Sequence, residues 1–140
     1  VDFSWEGFAW ISNDDYTQSV IAFRRIDKSG RELIAVCNFQ PVRRDDYRIG
    51  APCSGVYAEV FSSDAVEYGG ISNGDDIRSE KIPMHGCAQS ISLTLPPLAA
   101  LYVKCVRHSP ERPAPAVLPQ AAVSGKEVRT KRSRGGKKEE

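Results

Sequence analysis

The chain has 140 residues, a formal net charge of +1 and 41% hydrophobic residues, which leaves room for one domain with a tail. A charge so close to zero provides no global field that would favour nucleic acid or a membrane surface. No apolar run approaches the ~20 residues of a membrane-spanning helix, and the sequence shows no signal-peptide core.

The first segment of the chain, residues 1–18, is rich in aromatic side chains. Trp5, Phe8 and Trp10 stand out in it, and the spacing of its apolar residues suits neither a regular strand nor a regular helix. We therefore predict an irregular aromatic lead-in that packs on another surface. Residues 13–15, Asn-Asp-Asp, are typical of a turn or a helix cap.

The middle of the chain has the composition and alternation of β-strands. Residues 19–26 and 32–39 flank turn chemistry that ends at Gly30, which predicts a hairpin. The second of these strands is apolar on both faces, as in a central strand. Segment 62–76 is long, polar and without periodicity, and such a loop is usually functional or packed against a neighbour. Shorter strands are predicted at residues 47–49, 56–61 and 81–84.

Residues 90–106 contain two further alternating runs, separated by Pro96 and Pro97. Neither proline can donate a backbone hydrogen bond, so the pair interrupts the ladder. We predict that the two strands close a small antiparallel β unit and that earlier strands pack on their apolar face. The predicted apolar faces consist of Ile91, Leu93 and Leu95 in the first strand and Leu101, Val103 and Cys105 in the second.

The predicted fold is all-β, a small antiparallel β-sandwich or Greek-key domain over residues 19–107. From residue 108 the chain is first rich in Pro and Ala and then charged, so it cannot bury enough apolar surface to offset its ordering entropy. We predict a disordered basic tail at residues 108–140. Its Lys and Arg cluster could contact nucleic acid or an acidic partner, but interspersed glutamates favour a solvated tail and make nucleic acid an unfavoured partner.

The sequence contains no complete active site. Loop acids could be assembled into a carboxylate pair for glycoside chemistry, but nothing distinguishes them from solvated turn formers. His85 and His108 are too few and too far apart for a zinc site, so we assign no metal ligand and no cofactor. The cysteines form no CxxC pair and are interpreted as reduced and buried or half-buried. The acids are Asp64, Glu67, Asp75 and Asp76, and the cysteines are Cys37, Cys53, Cys87 and Cys105.

Six stretches form a longer pattern: GFAWI at 7–11, SVIAFRRIDKSG at 19–30, ELIAVCNFQPV at 32–42, YRIGAPCSGVYAEVFSSDAVEYGG at 47–70, PMHG at 83–86 and SISLTLPPLAALYVKC at 90–105. In this order they resemble the C-terminal all-β domain of bacterial 1,4-α-glucan (glycogen) branching enzymes, members of the α-amylase superfamily. The resemblance covers about residues 3–106. It departs from the family pattern at Ala9, where an acidic residue is expected, and at Cys53 and Cys87, where aromatic residues are usual.

The resemblance implies a fragment of a longer polypeptide in which this domain follows a (β/α)₈ catalytic barrel. In that family the aspartate nucleophile and the glutamate acid/base lie on the barrel, so no catalytic residue is transferred to this chain and the chain alone is expected to be inactive. The implied whole protein is a cytoplasmic glycosyltransferase of glycogen biosynthesis. The implied partners are the barrel and an α-glucan such as glycogen, and the domain would stabilise the barrel and help to position the glucan.

Two functions remain open for Trp5, Phe8 and Trp10. As part of a branching enzyme, these rings would dock on the barrel or pack in the domain's own core. As a stand-alone carbohydrate-binding β module, the chain would instead use them as a stacking platform for sugar rings. The first function is favoured, because rings exposed on an isolated domain would form an adhesive patch.

Overall fold

The computed structural model describes residues 4–74 and 76–109 and confirms the all-β, antiparallel class. Six strands form one sheet in the order β1-β2-β3-β8-β5-β6, and β4 pairs with β7 in a second sheet. Single-turn 3₁₀ helices lie at Trp5–Gly7 and Val66–Tyr68. The strands of the described residues are β1 Phe8–Asp15, β2 Val20–Ile26, β3 Glu32–Asn38, β4 Arg44–Ala51, β5 Gly55–Ser62, β6 Asp76–Arg78, β7 Gln89–Leu95 and β8 Ala100–His108.

The hydrophobic core lies between the two sheets and is built from alternate residues of their strands. In β7 the three predicted core residues are each at most 3% exposed, while the alternating Thr94 is exposed. The same parity buries Leu101 and Val103 of β8, and both belong to the same apolar cluster as the β7 residues. The other buried members are Val20, Ala22, Ile34, Val36, Tyr47, Ile49, Ala51 and Tyr57.

The predicted hairpin is confirmed and supplies the centre of the larger sheet. β2 and β3 pair without a register shift from Val20↔Asn38 to Ile26↔Glu32. On its other edge β3 pairs with β8, so it is a central strand, as its apolar composition predicts. β8 in turn pairs with β5, which makes the last strand of the fold an interior strand as well.

The two closing strands belong to different sheets. β7 pairs with β4, and the chain then crosses to the larger sheet through Pro96, Pro97 and Leu98, which has a positive φ of 49°. A buried amide holds this crossing: Nδ2 of Asn38 donates to the carbonyl oxygens of Pro96 at 2.9 Å and Val42 at 2.8 Å. The proline break is therefore a change of layer, which short-range alternation does not reveal.

Two predicted elements differ from the structure. Residues 8–15 form the strand β1, so the prediction of an irregular lead-in is wrong there. The sequence looked irregular because a register shift after Trp10 interrupts the two-residue alternation of a regular strand. The strand predicted at residues 81–84 is not formed. Pro83 removes a donor there, Met84 makes only an isolated bridge, and β6 pairs with β5 instead.

The folded part extends slightly beyond the predicted boundary at residue 107. β8 reaches His108, and the backbone N–H of Ser109 donates to the carbonyl of Ser54 at 2.8 Å. Residues 1–3 of the predicted lead-in and residues 110–140 of the predicted tail lie outside the described residues. In the part that is described, no helix is long and apolar enough to cross a membrane.

We expect Leu93→Ala to lower the free energy of unfolding by about 2–5 kcal/mol, because it leaves a cavity in the core. Ser92→Ala, one residue away, should change it by no more than about 0.5 kcal/mol, since the Ser92 Oγ has no hydrogen-bond partner to lose. Urea unfolding of both variants tests this difference. Equal midpoints for the two would show that the face of β7 is assigned wrongly.

We expect Asn38→Ala to lower the free energy of unfolding by roughly 2–4 kcal/mol, because three groups lose their hydrogen-bond partner. These are the buried carbonyl of Pro96, the partly buried carbonyl of Val42 and the N–H of Gln40, which donates to the Asn38 Oδ1 at 3.1 Å. The matched control is Asn13→Ala on β1, where the side chain is exposed and the cost should be within about 0.5 kcal/mol. Thermal or urea unfolding measures both. A cost for Asn38→Ala no larger than that of the control would contradict the role of the amide.

Candidate functional site, an aromatic face on the larger sheet

Apart from Tyr57 of β5, which is buried in the core, the larger sheet carries its aromatic side chains on the side that faces away from the core. Successive residues of a strand point to opposite sides of a sheet. Ala22 of β2 is fully buried in the core, so its neighbour Phe23 lies on the outer side. In the same way Val103 of β8 is in the core and Tyr102 is outside. Local alternation thus separates a mostly aliphatic inner side from an aromatic outer side.

The pairing register places these residues in one row across five strands. Trp10 is paired with Phe23, Phe23 with Ala35, Ala35 with Tyr102, and Tyr102 with Phe61. Four strand steps of ~4.8 Å give the row a length of about 19 Å. We call the surface formed by this row and its ring neighbours the aromatic face. Its members are Phe8, Trp10, Phe23, Ala35, Phe61, Tyr68 and Tyr102.

At the β1 end of the aromatic face three rings pack against one another. The ring centroids of Phe8 and Trp10 are 5.0 Å apart, those of Phe8 and Phe23 5.4 Å, and those of Trp10 and Phe23 6.0 Å. These separations are in the favourable range for aromatic pairs. The guanidinium of Arg25 lies 6.0 Å from the Phe8 centroid and adds a cationic group at this edge.

The opposite end of the aromatic face is formed by Phe61, Tyr102 and Tyr68. The Phe61 centroid lies 5.0 Å from that of Tyr102 and 5.9 Å from that of Tyr68, which belongs to the long loop after β5. The pKa of the Tyr68 hydroxyl is raised by its hydrogen bond to Glu67 and by the charge of that residue. Between the two ring groups Ala35 is only 3% exposed, because it lies between the larger side chains of its paired neighbours.

Several of these rings are held in place yet remain open to water. Trp10 is 52% exposed, Tyr68 60% and Tyr102 38%. Large exposed apolar patches on soluble domains mark interaction sites. The aromatic face is therefore the strongest candidate for a functional surface among the described residues.

The sequence-predicted site residues are only partly brought together. Phe8 and Trp10 both belong to the aromatic face. Trp5 lies in the 3₁₀ helix before β1, is 84% exposed and makes no ring contact within the described residues. Sequence reasoning missed the other rings. Alternation could have assigned Phe23 and Tyr102 to an outer side, but no local signal shows that β8 lies between β3 and β5.

The other chemically reactive groups do not assemble into a centre. No cluster of three or more His, Cys, Asp or Glu side chains in the described residues could hold a metal ion. Of the acids considered from the sequence, Asp64 and Glu67 lie in the loop after β5, Asp76 begins β6, and Asp75 is outside the described residues. All four cysteines are free and half-buried, and burial raises the pKa of each thiol.

Comparison with known proteins identifies a family and several relatives that are similar in sequence to this chain. Residues 10–106 match the family described as "Alpha amylase, C-terminal all-beta domain". The chain is 51% identical over 106 residues to the 1,4-alpha-glucan branching enzyme GlgB of Aquifex aeolicus (strain VF5), an alignment that covers 74% of this chain and 17% of that enzyme. It is 50% identical over 100 residues to the enzyme of the same name from Burkholderia pseudomallei (strain 668), covering 70% and 14%. The chain therefore spans less than a fifth of the length of these relatives.

Variants that keep a single tryptophan test how exposed Trp5 and Trp10 are. Trp10→Phe leaves Trp5, and Trp5→Phe leaves Trp10. Because Trp5 is 84% exposed and Trp10 52%, acrylamide should quench Trp5 more strongly than Trp10, and both more weakly than free tryptophan. Equal quenching constants for the two variants would contradict the packing of Trp10 on Phe8 and Phe23.

Proposed function

Since the chain belongs to the family of alpha-amylase C-terminal all-beta domains, we propose that it is the non-catalytic C-terminal domain of a 1,4-α-glucan branching enzyme. The whole enzyme would be a cytoplasmic glycosyltransferase that forms α-1,6 branches in glycogen. The observation that carries the proposal is about 50% identity over most of this chain to enzymes named for that activity. The domain would stabilise the catalytic barrel and help to position the glucan, and it would itself hold no nucleophile or acid/base.

The aromatic face is the surface by which this domain would dock on the barrel. The relatives are more than five times as long as the segment that matches this chain, so most of each enzyme is available as a partner within the same polypeptide. Stable interfaces bury about 800 Å² on each partner around a dry aromatic centre with polar groups at the rim. The aromatic face, a row about 19 Å long with a group of rings at each end and Arg25 at one edge, offers the aromatic anchors and a polar group at the rim.

Docking is also favoured by the free energy gained when the exposed rings are removed from water. Burial of apolar surface contributes roughly 25 cal/mol for each Å² removed from water. The rings at each end already pack on one another, so little side-chain entropy would be lost when a partner covers them. Tryptophan and tyrosine in such positions are the residues that most often dominate binding energy.

The alternative, a stand-alone carbohydrate-binding module, would use the same rings as a stacking platform. Stacking on a sugar is best served by rings that present their faces in a common plane. The Trp10 ring instead stands at 88° to that of Phe8 and at 80° to that of Phe23. This edge-to-face arrangement fills space between side chains and supports the docking function over the stacking function.

We expect the chain to bind a form of the Aquifex aeolicus branching enzyme from which the matching segment has been removed. Trp10→Ala should weaken this binding about tenfold or more, as for a central aromatic anchor. Tyr16→Ala is the matched control: Tyr16 is 84% exposed, lies in the turn after β1 and should change affinity by less than about twofold. Isothermal titration calorimetry gives the affinities.

The same mixture provides an activity measurement. The iodine spectrum of amylose should show branching by the mixture and none by the chain alone. No binding to the truncated enzyme, or equal losses from Trp10→Ala and Tyr16→Ala, would contradict docking through the aromatic face. Branching by the purified chain alone would contradict its assignment as a non-catalytic domain.

A further inference from the structure

The aromatic face stays partly open to water in the part of the chain that the structure describes, where Trp10 is 52% exposed and Tyr102 38%. Rings in such positions favour any apolar segment that can reach them, because covering them removes apolar surface from water. This chain can itself supply such a segment, since residues 110–140 follow Ser109 in the sequence.

The chain leaves the described structure at one end of the larger sheet. β8 runs from Tyr102, in the aromatic row, toward Ser109, whose N–H donates to the carbonyl of Ser54 at 2.8 Å. In the antiparallel register, Phe8 is displaced from Trp10 toward this same end of the sheet. The chain therefore continues from the end toward which the Phe8 ring extends the aromatic face.

The distance from this end to the rings of β1 fits the length of the segment that follows. The stretch from Tyr102 to Ser109 is about 23 Å long, and three strand steps from β8 to β1 add about 14 Å sideways. These two components give a direct path of about 27 Å from Ser109 to Trp10. A polyproline II helix rises about 3.1 Å per residue, so such a path takes about nine residues and ends near Leu118.

Residues 110–119, PERPAPAVLP, have the composition of a polyproline II segment. Pro110, Pro113 and Pro119 recur at multiples of three, which is the period of this helix, so they share one face of it. Proline-rich segments of this kind dock in aromatic-lined grooves, and they lose little entropy because proline fixes the backbone in advance. The composition of the segment thus matches the chemistry of the aromatic face.

Val117 and Leu118 are the large apolar side chains of this segment, and the path length brings them to the rings of Trp10 and Phe23. The disorder predicted for residues 108–140 follows from their own lack of apolar surface. Contact with rings that are already packed on one another supplies the missing apolar partner.

We propose that residues 110–119 fold back as a polyproline II segment over the β1 end of the aromatic face, with Val117 and Leu118 against Trp10. The contact lies within one chain, so it covers the rings before any other protein reaches them. A docking partner has to displace the segment, which lowers its apparent affinity by the fraction of time that the face is open. The inference goes beyond the proposed function and does not depend on it.

Acrylamide quenching of the whole chain tests the contact. In the Trp5→Phe background Trp10 is the single tryptophan, so its quenching constant reports its cover directly. Val117→Ser combined with Leu118→Ser should raise this constant about twofold, because the apolar contact that holds the segment on the rings is lost.

The matched control is Ala121→Ser combined with Ala122→Ser, just beyond the segment, which should leave the quenching constant unaltered. Both pairs of substitutions lie outside the core cluster, which ends at Val103, so the fold is retained in each. Equal quenching constants for the two double variants would overturn the proposal.

Nuclear Overhauser effects between the Leu118 methyl groups and the Trp10 ring measure the contact itself. We expect them within one molecule and at every protein concentration. If a mixture of ¹³C-labelled and unlabelled chains shows these effects only between molecules, a second copy is the occupant and the proposal is wrong.

Isothermal titration with the truncated branching enzyme measures the competition. The variant with Val117→Ser and Leu118→Ser should bind about threefold more tightly, as expected for a face that the segment covers two thirds of the time. Equal affinities for this variant and the unaltered chain would contradict the competition. If no form of the chain binds the truncated enzyme, docking fails, whereas quenching and Overhauser effects decide the segment contact without that enzyme.

Discussion

A single buried amide connects the parts of this fold. Asn38 ends β3 and is 2% exposed. Its side-chain amide donates to the carbonyl of Val42, in the connection from β3 to β4, and to that of Pro96, in the connection from β7 to β8. Its backbone N–H also donates to the carbonyl of Ala99, one residue before β8 begins. The bond to Pro96 satisfies a buried carbonyl group within the proline break. Together these bonds direct β8 into the position beside β3, and the order of the larger sheet follows from that position.

The order of the larger sheet then determines what each of its sides can do. With β8 between β3 and β5, the inner residues of the strands meet in one mostly aliphatic core, and the outer residues align as the aromatic face. The loop after β5 contributes to both sides. Tyr68 packs on Phe61 at the outer side, whereas residues 71–73 lie across a gap from β7 at the inner side. The length of this loop is thereby explained, since a short hairpin connection could not reach both.

The aromatic face is the feature on which the proposed docking to a larger enzyme depends. A sheet with one side in the core normally presents polar groups on the other side. Here the second side is aromatic and partly exposed, which is costly in an isolated domain and useful in one with a permanent neighbour.

The local sequence pattern by itself determined the β-strand class, the core-facing residues of β7 and β8 and the family resemblance. Alternation along 90–95 and 101–105 predicts which side chains of β7 and β8 enter the core, because the two-residue period of a strand is a property of the backbone itself. The family resemblance likewise needs only the order of short motifs along the chain. Beyond the β2–β3 hairpin, tertiary structure decided which strands are neighbours, since pairing between β3, β8 and β5 joins residues 39 to 69 positions apart, which leave no mark on local sequence. Trp10 was recognisable from the sequence as a candidate site residue, because it belongs to an unusually aromatic segment. Its place in a row with Phe23, Tyr102 and Phe61 depends on the register between strands, which only the tertiary structure sets.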